Sequence, residues 1–152
     1  MLHAAHARHA GVDYGTRRIG LAVSDPEGKI ASPLGQIAAS RSFEKNASGV
    51  VAALADFDVD RWVVGLPLNM DGSEGTQAKI SRTFADALSK LSGCEVHLWD
   101  ERLSSAQADI HMAGSGLTRK KKKLRRDMLA AQVILQGFLD QGDVPINEED
   151  YE

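Results

Sequence analysis

The chain has 152 residues with 43% hydrophobic and 26% charged side chains, a balance that fits one globular domain with a single substantial core and excludes a disordered or fibrous chain. Its net charge is −3, yet seven of the eight residues from Arg119 to Arg126 are basic, so removing that run takes the remainder from −3 to −10. Asymmetry of this size is an argument about partners, and it points to a polyanion. One cysteine, Cys94, leaves no internal disulfide and suits a reducing, cytoplasmic setting, and no apolar run approaches the length of a membrane span.

In chain order, residues 1–8 carry His3 and His6 and read as a flexible extension; His9 completes a histidine-every-third-residue pattern that fits a mobile tail better than a metal site. "HAGVDYG" and "RRIGLAVSD" then read as two strands joined by a tight turn at residues 15–17. "KIASPLGQIAA" reads as a third strand, with Pro33 and Gly35 suggesting a sheet edge. Short connections among the three predict an antiparallel meander.

The apolar period then changes. Phe43, Ala47, Val50, Leu54 and Phe57 recur at helical spacing behind a capping Ser42. "RWVVGLP" is a short buried strand, "NMDGSEG" a loop, and Ile80, Phe84, Ala87, Leu88 and Leu91 mark a helix closing at Gly93. "EVHLWDE" is the last strand. Residues 104–113 read as a short helix, the basic run as a flexible loop that grips phosphate, and residues 127–141 as a final helix. Residues 143–152 form an acidic tail, leaving 9–142 as the folded domain. Trp62 and Trp99 fall in strand patterns and are expected to pack in the core or at a sheet end; Cys94 and His97 lack companions at zinc spacing. The order β-β-β-α-β-α-β-α predicts an α/β fold, a mixed five-stranded sheet with helices on both faces.

Three acids fall where a core belongs. Asp13 closes the first strand, Glu101 closes the last, and Asp127 shares a helical face with Ala130, Ala131, Ile134 and Phe138. Each has a bland alternative: a turn acid, half of a surface pair with Arg102, and a first-turn acid complementing the helix dipole. Together they suggest more. Carboxylates gathered at the ends of buried elements repel one another and stay ionised only around a cation, and hard oxygen donors suit Mg²⁺ or Mn²⁺. Such ions support phosphodiester hydrolysis. Asp100 would point to the opposite face of an extended strand.

The segments "GVDYGTRRIGLAVSD", "ASPLGQI", "VVGLPLNMDGSEG", "WDERLSS" and "RRDMLAAQVILQGFL" occur in order, and over residues 9–140 the chain resembles the YqgF/RuvX family of pre-16S rRNA nucleases and Holliday junction resolvases. That resemblance implies an RNase H-like fold, with Asp13, Glu101 and Asp127 as the catalytic, metal-holding acids. It implies 5′-end maturation of precursor 16S rRNA, with precursor rRNA or ribosomal particles as partners. The alternatives are branched DNA, which a symmetric dimer would serve, and a non-catalytic RNA-binding assembly factor. A monomer or weak homodimer is expected, with no membrane partner. A D-x-G-T turn also occurs in two-domain ATPases of the actin and sugar-kinase type, but 152 residues hold only one such domain. Further nucleic-acid contacts are expected from Arg17, Arg18 and Arg102, and from Asn69, Gly72, Ser73 and Gly75 in a loop whose backbone N–H groups precede a helix. The basic run adds Arg119, Lys120, Lys121, Lys122, Lys123, Arg125 and Arg126, which would bind phosphate without reading sequence.

Overall fold

A computed structural model describes residues 8–103 and 119–141; of residues 119–128 it describes the helical backbone alone. Five strands form one sheet: β1 (Arg8–Tyr14), β2 (Arg18–Ser24), β3 (Ala31–Ala38), β4 (Val59–Leu66) and β5 (Glu95–Asp100). Their spatial order is β3-β2-β1-β4-β5. β1 pairs antiparallel with β2 and β2 with β3, whereas β1–β4 and β4–β5 are parallel. The meander and the parallel half are as the sequence predicts. β3 lies at an edge, and a register shift between Leu21 and Ala22 accommodates Pro33 and Gly35.

Among the described residues three α-helices cover the sheet: α1 (Phe43–Ala53), α2 (Thr76–Ser92) and α3 (Arg119–Gln141). The Ser42 side chain accepts the Lys45 N–H to start α1, and Gly93 in a left-handed conformation (φ 69°) ends α2. Alternation along the strands sorts side chains between two cores. Val12, Tyr14, Trp62 and Val64 face α1 and α2, where Val50, Leu54, Phe84 and Leu88 complete the larger cluster. Ala22, Val63 and Trp99 face α3 and pack against Ala131, Ile134 and Leu135. Both tryptophans are thus buried, one in each cluster.

Several boundaries differ from the sequence reading. Arg8 and His9 belong to β1, so the extension ends a residue early, and residues 1–7 lie outside the described residues. α1 stops at Ala53, and Phe57 closes a separate 3-10 turn (Ala55–Phe57) leading to Asp58 in a left-handed conformation (φ 56°). The largest correction concerns the basic run. Arg119–Arg126 is helical backbone at the start of α3, not a loop, and Asp127 lies inside the helix rather than at its first position. Lysine, arginine and leucine are strong helix formers, and no glycine or proline follows Gly116 before Asp127 to break the run. The expected helix at 104–113 and the acidic tail at 143–152 lie outside the described residues.

Candidate active site

Asp13 and Glu101 are brought to the same face of the sheet by strand parity. In β1, Ala10, Val12 and Tyr14 point to the α1/α2 core, so Gly11 and Asp13 point to the α3 side. In β5, Trp99 packs on the α3 side, and Glu101 follows two residues later. The Glu101 N–H donates to the Leu66 carbonyl (3.1 Å), which fixes it beside the end of the parallel strand β4.

The floor of this site is made of glycine. A Cβ at Gly65 would lie 2.6 Å from Ile134 Cδ1 and 2.9 Å from Glu101 Cδ, and one at Gly11 would lie 2.8 Å from the Ala131 carbonyl oxygen. Absence of side chains lets α3 lie directly on β1 and β4 and leaves the Glu101 carboxyl the space over Gly65.

Glu101 is half-buried, and its pKa is pushed up from 4.5 to about 7. Burial is the main cause; the neighbouring charge of Asp13, a hydrogen bond between the two side chains and the charge of Asp100 add to it. Two carboxyl groups in hydrogen-bonding contact cannot both ionise cheaply, so near neutral pH the pair holds a shared proton unless a cation replaces it.

Asp13 is held by its neighbours. Gln77, in the first turn of α2, donates from Nε2 to the Tyr14 carbonyl (3.1 Å), and the Tyr14 hydroxyl accepts from Asn46 Nδ2 (2.6 Å). The Tyr14 ring stacks on Phe84 with centroids 4.1 Å apart. The Gly15 N–H donates to the Arg18 carbonyl (3.0 Å), closing the turn that carries Arg17 and Arg18 on its exposed surface just beyond Asp13.

Phe138 lies against His9 near the start of β1, while Leu135 and Ala131 both lie over Gly11, so α3 runs antiparallel to β1. The four residues of helix from Ala131 to Asp127 advance about 6 Å further. The backbone of Asp127 is thus carried toward the Asp13 end of β1, on the same side of the sheet. Continuing in that direction, the basic residues 119–126 extend past the strand ends.

The loop between β4 and α2 is a closed turn. The Asn69 N–H donates to the Ser73 carbonyl (2.9 Å), and the Gly72 N–H donates to the Asn69 carbonyl (2.8 Å). The Ser73 N–H donates to Asp71 Oδ1 (2.9 Å), as does its hydroxyl (2.6 Å). These bonds from Ser73 hold the Asp71 carboxyl below the usual range. The expectation of free N–H groups at Asn69, Gly72 and Ser73 is thus corrected: all three are used within the turn, because the loop satisfies its own donors. Gly75 caps α2 with no side-chain hydrogen bond.

Arg102 pairs with Asp100: Nε donates to both carboxylate oxygens (3.1 Å each) and Nη2 donates to Oδ2 (2.7 Å). Burial opposes ionisation of Asp100, but the hydrogen bonds and charge of Arg102 outweigh it and keep that carboxyl below the usual range. Nη1 donates to the Met70 carbonyl (3.2 Å). The contacts of Gln77 and the Asp100–Arg102 fork went unread in the sequence; the only signal was the i, i+2 spacing of an acid and an arginine astride Glu101.

Against known proteins, a family model described as "RuvX: Holliday junction resolvase" matches residues 7–141. The chain belongs to the RuvX family. A RuvX relative from Anaeromyxobacter sp. (strain Fw109-5), named "Putative pre-16S rRNA nuclease", is 43% identical over 133 residues, covering 88% of this chain and 96% of the relative. One of the same name from Myxococcus xanthus (strain DK1622) is 39% identical over 148 residues, covering 95% and 97%. Among solved structures, Thermus thermophilus RuvC in complex with a Holliday junction substrate superposes with a TM-score of 0.52 at 19% identity, covering 86% of this chain and 91% of that one. The RuvX fold is accordingly RNase H-like, with α1 and α2 on one face of the mixed sheet and α3 on the other.

Proposed function

We propose that this chain is a divalent-metal-dependent nuclease that hydrolyses phosphodiester bonds, with 5′-end maturation of precursor 16S rRNA as its reaction. The observation that carries the reading is the contact between Asp13 and Glu101 at the open end of parallel strands. No function in folding requires two acids there, and burial of the pair is costly without a cation.

The donor set fits Mg²⁺ or Mn²⁺. In this reading Asp13 and Glu101 supply two of the donors, and Asp127, whose helix runs toward the Asp13 end of β1, is assigned as the third. A divalent ion held there would activate water and stabilise the leaving oxygen. The chain's own residues prepare that site. Gln77 and Tyr14 hold the Asp13 strand end, the Leu66 carbonyl holds Glu101, and loss of the shared proton frees both carboxylates as oxygen donors. Arg17 and Arg18 lie exposed beside Asp13, and Arg119, Lys120, Lys121, Lys122, Lys123, Arg125 and Arg126, on the first turns of α3, would supply further phosphate contacts. Gly75, at the start of α2, remains a candidate contact; Asn69, Gly72 and Ser73 would act through their side chains or turn shape.

Relatives named for pre-16S rRNA favour RNA as the substrate; a cytoplasmic reaction, with ribosomal particles as partners, is part of the proposal. Branched DNA is the alternative, favoured by the family's description. The test is cleavage of a precursor 16S 5′ region and of a four-way DNA junction by the purified chain with Mg²⁺ or Mn²⁺. Site-selective cutting of the RNA that Asp13→Asn abolishes supports the reading. Cutting of the junction alone transfers it to DNA, and binding without cutting of either leaves an RNA-binding assembly factor.

A further inference from the structure

The Arg102 guanidinium lies at the junction of two parts of the molecule. On one side it grips Asp100, whose neighbour is Glu101; on the other it bonds the Met70 carbonyl at the tip of the 67–75 turn. The Arg102 backbone N–H adds a further bond to Asp100 Oδ1 (3.0 Å). Gly72, with φ at 87°, folds the turn so close that a Cβ there would lie 3.7 Å from Nη1. The turn's own bonds make it one body, and it touches this strand end through a carbonyl rather than a flexible side chain. Met70 is 93% exposed, so its side chain contributes nothing to holding the turn.

We propose that Arg102 is a positioning residue: a strut that locks the 67–75 turn to the strand end bearing Glu101, rather than a ligand for substrate phosphate. An arginine in a fork with a carboxylate has little capacity left for a second anion, and Nη1 reaches back to the Met70 carbonyl. The turn presents Met70 outward from the strand end that bears Glu101, so its registration sets where a substrate strand can lie. Asp100 shares the role. On this view the two residues astride Glu101 bind no substrate; they fix the wall against which substrate is placed.

The kinetic arm of the test rests on the nuclease reading, while a second arm, hydrogen exchange in the free protein, does not. In Arg102→Gln and Asp100→Asn alike, the amides of Asn69, Gly72 and Ser73 should exchange faster with no substrate present. In cleavage assays both variants should lose between about tenfold and a hundredfold in kcat. KM and the salt dependence of binding should stay at the wild-type level. If Arg102 instead contacts phosphate, Arg102→Gln raises KM and flattens the salt slope, Asp100→Asn tightens binding by releasing the guanidinium, and the three amides keep their protection; that result overturns the proposal. If the wild-type chain cuts nothing, the nuclease reading fails, and amide exchange alone decides for or against the strut.

Discussion

The two faces of the sheet are built from different materials. Under α1 and α2 lie large apolar side chains: Phe84, Leu54 and Leu88 are 0%, 2% and 0% exposed, with Tyr14 stacked among them. Under α3 lie Gly11 and Gly65, Ala22 and Ala31, Val63 and Trp99, and a pair of carboxyl groups. Polar side chains help to hold this second helix. Gln132 Nε2 donates to the Ala31 carbonyl (3.0 Å), the Ala31 N–H donates to Gln136 Oε1 (2.9 Å), and Gln136 Nε2 donates to the Lys29 carbonyl (3.0 Å). The contrast separates tasks within a single sheet. One face excludes water to stabilise the chain, and the other brings a helix close enough to set acids beside one another.

Substitutions on the two faces should therefore fail in different ways. Asp13→Asn should cut phosphodiester cleavage on the order of a thousandfold or more, with thermal unfolding unchanged or raised because repulsion within the pair is relieved. A large loss of melting temperature in that variant would erase the distinction between the faces. Leu88→Ala should show the reverse: about 2–5 kcal/mol lost in urea unfolding, with cleavage per folded molecule retained. Gly65→Ala tests the close approach itself. Its Cβ would meet Ile134 and Glu101 together, so stability should fall by about 1–3 kcal/mol and cleavage should fall with it. Unaltered cleavage would mean that Glu101 does not depend on its place above Gly65.

The smallest expected effect is a pH dependence. Glu101 holds its proton up to about pH 7 in the folded chain, against 4.5 ordinarily. Between those values Glu101 binds more proton in the folded state than in the unfolded one, so without divalent ions its contribution to stability is greatest below about 4.5 and declines as pH rises to about 7. Glu101→Gln should remove that component of the slope. Added Mn²⁺ should raise the melting temperature more at pH 8 than at pH 5, because the cation competes with the shared proton. Melting curves over this range, with and without Mn²⁺, check both statements.

Much of this arrangement is legible in the sequence because period-2 and period-3.6 patterns state which side of an element is apolar. Alternation in "HLWDE" is enough to put Glu101 and Asp100 on opposite faces, whereas the shared face of Asp13 and Glu101 depends on how β1, β4 and β5 pair. What stays hidden depends on contacts between segments distant in sequence. Arg102 finds a carbonyl at Met70, and the spacing in "WDERL" does not reveal whether its acid partner is Asp100 or Glu101. The start of α3 was obscured for another reason: in "TRKKKKLRRD" charge masks the apolar period, while intrinsic propensity favours the helix that forms. The loop's donors were misassigned because a glycine-rich sequence looks the same whether its N–H groups are open or closed into a turn.

The position of α3 in the chain has a consequence for synthesis. It is the last described element, yet Ala131, Ile134 and Leu135 are what cover Ala22, Val63 and Trp99. Until those residues leave the ribosome, the sheet can close only its α1/α2 side, and the bare second side offers a nascent chain a place to aggregate or meet a chaperone. The same timing withholds the segment containing Asp127 until the acids at 13 and 101 are already in place. A chain cut short before α3 would be both sticky and, under the assignment above, unable to cleave; incomplete synthesis would release no partly active nuclease.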